Sequence, residues 1–439
     1  MFNYYLKLGW LSIRANPALS ALMVAAIGIG IGACMTIMTI FHVMSGNPIP
    51  QKSDQLYYVQ VDSWDPTQPH DEPNEPPPQM TYLDATGLHA AGRDFTQVIT
   101  FKSDRVLQPQ DEATLPFEVE TRATTQEFFS MFDVPFAYGA GWSSSADANE
   151  ERVLVLGHAL NQQLFGGANS VGDMLMLNGE SYRIVGVLAD WQPIPKFYDL
   201  NNNPYEEPEQ LFLPFSVAIT GEHGSNGNTN CWKPIDEGGY QAFLGSECVW
   251  IQMWAELPTS AEKASYLQFL DAYVEQQKAL GRFPRPLNNR VSDVQAWMDN
   301  QEVVEEDVSV LLGLAFLFLI VCLLNTIGLL LAKVMRRTKD ISLRRALGAS
   351  KGALFSQYIV EAGLIGIGGG LLGIALTWLG LLGIQNLFSE MEFIQKLAKL
   401  DWVMVSYAVV LAIVSALAAA LYPTQRACNI TPASQLRIQ

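Results

Sequence analysis

The sequence predicts an α-helical membrane protein with four transmembrane helices, arranged 1+3, and a large extracytoplasmic α+β domain. Three observations lead there. Four apolar runs are long enough to cross a bilayer, which takes roughly 20 residues. A long polar segment, residues 46–307, separates the first run from the other three. Charge divides along the same line: residues 46–307 hold 14 Lys+Arg against 39 Asp+Glu, a balance of −25. The remainder holds 13 against 5, a balance of +8, and the two make up the net −17. The charged fraction, 16%, is low beside the roughly 25% of soluble domains. The acidity excludes a chain that grips nucleic acid through net charge. Five irregularly placed cysteines exclude a disulfide-dense scaffold.

Residues 1–17 form a cytoplasmic, amphipathic N-terminal segment carrying Lys7 and Arg14. The first span, 18–44, contains no charge. A signal peptide is the rival reading, but the apolar stretch exceeds the usual 7–15 residues and no small-residue cleavage site follows it. Gly28, Gly30 and Gly32 lie inside this span, where small residues let helices approach closely; a nucleotide loop would need a strand before it. Residues 45–307 are the external domain. Its Pro- and acid-rich stretch, 62–79, reads as irregular loop. Strands are expected over 56–61, 97–101, 117–121, 153–156, 182–188 and 249–256, and helices over 81–91, 125–131, 158–165 and 260–280. The polar stretch 292–307 has no Pro or Gly and reads as one continuous helix, a stalk running into the second span. A passive connector is the alternative to a rod that transmits movement.

The second span covers 308–332, and a basic loop, 333–352, follows. The third span, 353–387, carries a single acid, Glu361, for which pairing with a basic neighbour is the leading structural reading. A loop, 388–401, the fourth span, 402–422, and a tail, 423–439, complete the chain. Basic residues cluster before the first span, between spans two and three, and after the fourth (Arg426, Arg437), which places those parts in the cytoplasm. Trp10, Trp378 and Trp402 read as interface anchors. The external domain then lies in an oxidising compartment. Only Cys231 and Cys248 are external, since Cys34 and Cys322 fall in spans and Cys428 is cytoplasmic. The two external cysteines read as one disulfide, with a pair of buried thiols as the alternative.

No catalytic, cofactor-binding or metal-binding residues are identified. There is no G-x-x-x-x-G-K-[ST], and His42, His70, His89, His158 and His223 show no metal-ligand spacing. The informative stretch is 336–350, RRTKDISLRRALGAS. Helix formers dominate it, Asp340 and Arg344 sit at i,i+4 with the acid first, and Gly348 fits the position that ends a helix. Ser350 can cap the next one. Ile341, Leu343 and Leu347 give this short basic helix apolar contacts to offer. Binding of anionic lipid headgroups and docking of a cytoplasmic partner both fit.

This stretch resembles the signature of the permease family that includes MacB, the Lol permeases and FtsX. The matching residues are Arg337, Asp340, Ile341, Arg344, Arg345, Ala346, Gly348 and Ala349; Asp340 stands where the family usually has Glu. The N-terminal Arg14-Ala15-Asn16-Pro17 and the C-terminal Tyr422-Pro423, Arg426-Ala427, Pro432 and Leu436-Arg437 are similar to the family too. So are Met80-Thr81-Tyr82, Phe128-Phe129, Gln163-Leu164-Phe165-Gly166, Val171-Gly172-Asp173, Tyr182 to Val187 and Leu213-Pro214 within the external domain. The likeness is weakest over 190–250.

The resemblance implies a type VII ABC transporter permease in the bacterial inner membrane, with both termini cytoplasmic and the large domain periplasmic. It implies a Porter-like subdomain at about 47–115 and 255–307 and a Sabre-like one at 116–254. The loop helix would couple to a MacB- or LolD-type ATPase dimer, which binds ATP and Mg; this sequence opens on the first span, so the ATPase is expected on another polypeptide. A second permease, identical or related, is expected, and a periplasmic adaptor and outer-membrane channel are implied. The expected work is mechanotransmission: export of a drug, peptide, toxin or lipoprotein from the periplasmic side. An FtsX-like signalling subunit that activates an external enzyme without transport is the alternative.

Overall fold

The structure, a computed structural model, describes residues 2–109, 115–387 and 402–428. The chain divides into two compact units. One is Gly46–Val303; the other joins Met1–Ser45 with Val304–Gln439. The expected loop at 388–401, and Pro432, Leu436 and Arg437 of the expected tail, lie outside the described residues.

Two helices come first, α1 (Phe2–Ala15) and α2 (Pro17–Met44). Pro17 opens α2, where its missing N–H costs nothing. The sheet unit then begins with β1 (Leu56–Gln60), β2 (Met80–Thr81), α3 (Tyr82–Ala91), β3 (Thr96–Gln108) and β4 (Phe117–Thr124). It continues through α4 (Glu127–Met131), β5 (Phe136–Gly139), α5 (Ser144–Ala148), β6 (Val153–Leu156) and α6 (His158–Phe165). Next come β7 (Met174–Leu177), β8 (Glu180–Leu188), β9 (Leu211–Pro214), α7 (Phe215–Thr220), β10 (Asn230–Cys231) and α8 (Gly239–Leu244). The unit ends with β11 (Cys248–Glu256), α9 (Ser260–Ala279), β12 (Arg290–Asp293) and α10 (Val294–Asn300). The helical unit resumes with α11 (Glu306–Arg336), α12 (Thr338–Ala346), α13 (Lys351–Leu387) and α14 (Trp402–Cys428).

The strands form one sheet whose main path runs β12-β1-β11-β3-β4-β9-β6-β8-β5. Pairing is antiparallel except at β4/β9 and β6/β8. Strand β11 is its hub: it pairs β1, β3, β2 and β10, and its residues are buried on both faces up to Glu256. That suits its run of Val, Trp, Ile and Met. Helices α3 and α9 cover it through Leu88, Tyr266, Leu270 and Val274. A capping box sets the start of α9, where Thr259 and Glu262 satisfy each other's backbone N–H groups. An aromatic core lies around Phe128, Phe132, Tyr198, Trp254 and Trp297.

The stretch 292–307 is not one continuous helix. Residues up to Asp293 belong to β12, which pairs with β1. Asp293 caps α10 by accepting from the Ala296 N–H at 2.9 Å. Val294, Trp297 and Met298 sink into the aromatic core, and the Trp297 ring stacks on Tyr58 with centroids 3.7 Å apart. The helix then stops: Glu302 takes a left-handed φ of 48°, and Val303 is buried. A new helix, α11, starts at Glu306. The polar composition of the stretch hid the three apolar residues that tie α10 to the sheet.

The Pro-rich loop 62–79 is irregular, yet it is tied down. Arg285 donates to Asp62 Oδ2 at 3.0 Å and to the Asp65 and Pro73 carbonyls. The segment between β8 and β9 is held by charge. Arg122 of β4 and Lys196 are fully buried with Asp199 and Glu209. Two cations meet two carboxylates, so the set is neutral, as burial demands. Gln252 of β11 also donates to Asp199.

In the helical unit, Pro17–Met44, Glu306–Arg336, Lys351–Leu387 and Val403–Arg426 are long and apolar enough to cross a membrane. Close packing explains the glycines. A Cβ at Gly28, Gly30 or Gly32 would come within 2.8, 2.9 and 2.7 Å of Leu372, Leu319 and Leu376. On the facing helix, Gly369 and Gly373 receive Ile27 and Ile31. The α2–α13 contact is therefore a reciprocal fit of small against branched residues.

Candidate functional site

Helix α12 follows α11 after a break at Arg337. It ends as its sequence dictates: Gly348 takes φ +100°, and the Ala349 N–H reaches back to the Arg344 carbonyl at 3.0 Å. Ser350 Oγ accepts from the Ala353 N–H at 3.1 Å and opens α13. The result is a nine-residue helix, about two and a half turns, held between two long ones.

Its faces differ. Ile341 and Ser342 turn inward, Ile341 packing with Val334, Leu354 and Cys428. Asp340, Leu343, Arg344, Ala346, Leu347 and Gly348 are exposed; Leu343 is 60% and Leu347 80% exposed. Arg345 is half-buried and donates to the Cys428 carbonyl of α14 at 3.2 Å. Arg344 donates to Gln357 Oε1 at 3.0 Å, and among the described residues no ion pair joins it to Asp340. The expected i,i+4 pair is thus replaced by a bond to α13. Ala349 is half-buried at the turn.

A buried polar cluster anchors the base of this helix. Glu361 of α13 and Lys333 near the end of α11 form an ion pair, with side chains 2% and 4% exposed. Ser12 of α1 donates to the same Glu361 oxygen at 2.7 Å. Lys333 also donates to Ser20 of α2 at 3.3 Å. Arg337, at the α11–α12 junction, donates to the Ser12 hydroxyl and, at 3.4 Å, to its carbonyl. A Cβ at Gly9 would lie 3.4 Å from Glu361 Cα, so α1 runs close along α13. One carboxylate therefore gathers α1, α11 and α13, with α2 joined through Lys333. Removing a partner from such a pair typically costs about 3–5 kcal/mol.

Sequence reasoning singled out Glu361 and Arg337 but missed Ser12, Ser20 and Lys333 as their partners. A serine on the apolar side of an amphipathic segment was the available signal. Arg337 and Arg345 hold the two ends of α12, while Leu343 and Leu347 remain exposed.

In the sheet unit, Cys231 and Cys248 are disulfide-bonded, directly opposite each other on β10 and β11. Cys34, Cys322 and Cys428 are free and buried.

Residues 20–244 match the MacB-like periplasmic core domain, and residues 312–432 match the FtsX-like permease C-terminal domain. Both are permease domains. The macrolide export ATP-binding/permease protein MacB of Azoarcus sp. is 22% identical over 390 residues, covering 86% of this chain and 51% of that protein. The MacB protein of Bdellovibrio bacteriovorus is 24% identical over 243 residues, 54% of this chain and 32% of its own length. The pyoverdine export ATP-binding/permease protein PvdT of Pseudomonas aeruginosa is 24% identical over 252 residues, 57% of this chain and 33% of its own. The chain thus spans 32% to 51% of the length of these relatives. Among solved structures, the periplasmic region of MacB from Actinobacillus actinomycetemcomitans aligns with a TM-score of 0.37 and 12% identity, covering 59% of this chain and 97% of that one. The chain belongs to the MacB/FtsX family of ABC transporter permeases, joining a MacB-like periplasmic core domain to an FtsX-like permease domain.

Proposed function

We propose that this chain is the permease subunit of an ATP-driven exporter that works by mechanotransmission in the bacterial inner membrane. Both termini and α12 face the cytoplasm, and the sheet unit lies in the periplasm. A separate MacB- or LolD-type ATPase dimer, carrying ATP and Mg, docks on α12. Because two ATPase protomers need two docking helices, the permease works as a homo- or heterodimer. Its substrate, a drug, peptide, toxin or lipoprotein, is moved outward from the periplasmic side, with a periplasmic adaptor and outer-membrane channel as further partners.

The observation that carries this reading is the state of α12. Its two ends are bonded to α1 and α14, while Leu343 and Leu347 are left exposed on either side of Arg344, with Asp340 also exposed. Exposed apolar anchors ringed by charge are what a docking surface offers a protein partner. The one buried acid among the described residues of the spans, Glu361, is ion-paired with Lys333. A polar conduit through the bilayer would need more such groups, so force rather than passage is the work assigned to the helices.

The test substitutes Leu343→Glu and Leu347→Glu together in the full chain, reconstituted with the ATPase that co-purifies with it. Both positions are exposed, so the fold is retained. Expected is loss of ATPase association and of substrate-stimulated hydrolysis, with normal membrane insertion. Unchanged association and turnover would reject the coupling assignment. The FtsX-like match over 312–432 favours one second reading, a signalling subunit that activates an external enzyme. ATPase activity that responds only to an added external hydrolase, and never to an exported compound, selects it.

A further inference from the structure

A cleft in the sheet unit is untouched by the coupling reading and stands independently of it. Its volume is about 490 Å³, within the roughly 300–1,000 Å³ of small-molecule sites. Helix α3 forms one wall. Tyr82, Thr86 and His89 follow at steps of four and three residues and so share a face. Helix α7 supplies Phe215 and Ile219, and the buried Ile99 of β3 adds apolar surface. The Tyr82 and Phe215 rings lie parallel to within 6°, with centroids 6.4 Å apart.

The polar groups of the cleft are one-sided. Glu127, Asp147 and Glu150 line it, and among the described residues no Lys or Arg does. Burial holds the His89 imidazole below its usual pKa, so it adds no standing positive charge at neutral pH. Thr125 also lines the cleft. It is 6% exposed, and its hydroxyl is buried without a hydrogen-bond partner among the described residues. Such a group calls for a ligand or water to satisfy it.

We propose that this cleft binds an organic cation, a protonated or quaternary amine carried on an apolar body. Ring faces attract a cation within about 6 Å, and the carboxylates compensate its charge. Ile99, Ile219 and the rings accept the apolar remainder. An anion would face three carboxylates. A neutral apolar ligand would strip water from those carboxylates with nothing to replace it. Among the described residues no three His, Cys, Asp or Glu side chains are placed to hold a metal ion, which separates this cleft from an inorganic cation site.

The test uses the full chain in nanodiscs and isothermal titration with benzyltriethylammonium, set beside neutral benzyl alcohol. Expected is saturable 1:1 binding of the ammonium, at least about tenfold tighter than the alcohol, a difference of 1.4 kcal/mol. Ser144 and Ala148 are exposed residues that line the cleft, so substituting them spares the core. Ser144→Arg places a cation at the rim and should weaken binding by about tenfold; Ser144→Glu should preserve it. Ala148→Trp should block the cleft. No saturable binding, equal affinity for benzyl alcohol, or unchanged affinity in both Ser144→Arg and Ala148→Trp would each overturn the proposal. None of these substitutions touches α12, so loss of coupling and loss of binding are read separately.

Discussion

The Lys333–Glu361 pair permits a quantitative test of how the base of α12 is held. The perturbation is Glu361→Leu, Lys333→Met and the double variant. Both side chains are almost fully buried, so water cannot replace a lost partner. Among the described residues, Glu361→Leu leaves the Lys333 ammonium with Ser20, and Arg337 close by on Ser12; two cations then share a site that has lost its carboxylate. Lys333→Met leaves a carboxylate that still accepts from Ser12, which in turn is bonded to Arg337. Glu361→Leu should therefore be the worse lesion, near the upper end of the roughly 3–5 kcal/mol seen for broken buried pairs, with Lys333→Met near the lower end. The double variant replaces both charges with apolar groups of similar volume and should return to within about 1 kcal/mol of the parent. At about 2–4 °C per kcal/mol for a unit of this size, each single variant should melt on the order of 10 °C lower, and the double variant within about 4 °C of the parent. Differential scanning fluorimetry of the full chain in one detergent gives all four corners of the cycle. If the double variant falls by the sum of the two singles, the groups do not interact, and the clamp described here does not exist.

Two further outcomes follow from the sheet unit. Replacing Cys231 and Cys248 with serine opens a bridge of sequence separation 17 and should destabilise the unit by about 3 kcal/mol; peptide mass spectrometry of the parent should show the linked pair, and an unchanged melting profile in the variant would show the bridge to be dispensable. Burial pushes the Asp147 carboxyl up from 3.8 to about 6, against the bonds from Trp142 and the Gln126 N–H. A folded pKa above the unfolded one means that the native state holds the proton more tightly. Its contribution to stability is therefore greatest below about pH 4 and declines as pH rises to about 6. Asp147→Asn should leave stability near pH 4 little changed and raise it at pH 7.5; a parallel offset at both pH values would contradict the assignment.

What the sequence made legible follows from the range of the interactions involved. The four spans are written in consecutive residues, as are the end of α12 and the start of α13, so Gly348 and Ser350 could be assigned from neighbours alone. The Cys231–Cys248 bridge was legible because the expected topology left only these two cysteines in the external domain. The buried quartet of Arg122, Lys196, Asp199 and Glu209 was not. Lys196, Asp199 and Glu209 sit in a Pro-, Asn- and Glu-rich stretch that reads as solvated loop, and their partner Arg122 lies on a strand 77 and 87 residues away from the two acids. Strand β9 and helix α7 belong to the same stretch and are too short for periodicity to speak. For α12 the sequence supplied three apolar residues and two arginines of equal apparent standing. Only tertiary packing separates Ile341 and Arg345, which hold the helix, from Leu343 and Leu347, which it presents.

The broken stalk changes how force must travel if the coupling reading is right. A single helix over 292–307 would act as a rod, delivering axial displacement to whatever lay at its far end. The chain instead passes residues 301–305 without helix and enters α10, whose Trp297 is stacked on Tyr58 of β1. β1 is the first strand after α2, β12 is the strand immediately before α10, and the two pair directly, Tyr57 opposite Asp293 and Tyr58 opposite Ser292. Both chain connections to the helical unit therefore lead into neighbouring strands at one edge of the same sheet. A pull along either is resisted by the hydrogen-bonded ladder between β1 and β12 and by the Tyr58–Trp297 stack, so the sheet edge moves as a piece. Stiffness is supplied by that paired edge rather than by a continuous helix. Trp297→Ala, which removes the stack while leaving the Asp293 cap in place, is accordingly the substitution that separates an edge-driven domain from a rod-driven one: it should lower coupled ATP turnover while leaving ATPase docking on α12 intact, and undiminished turnover would return the argument to the rod.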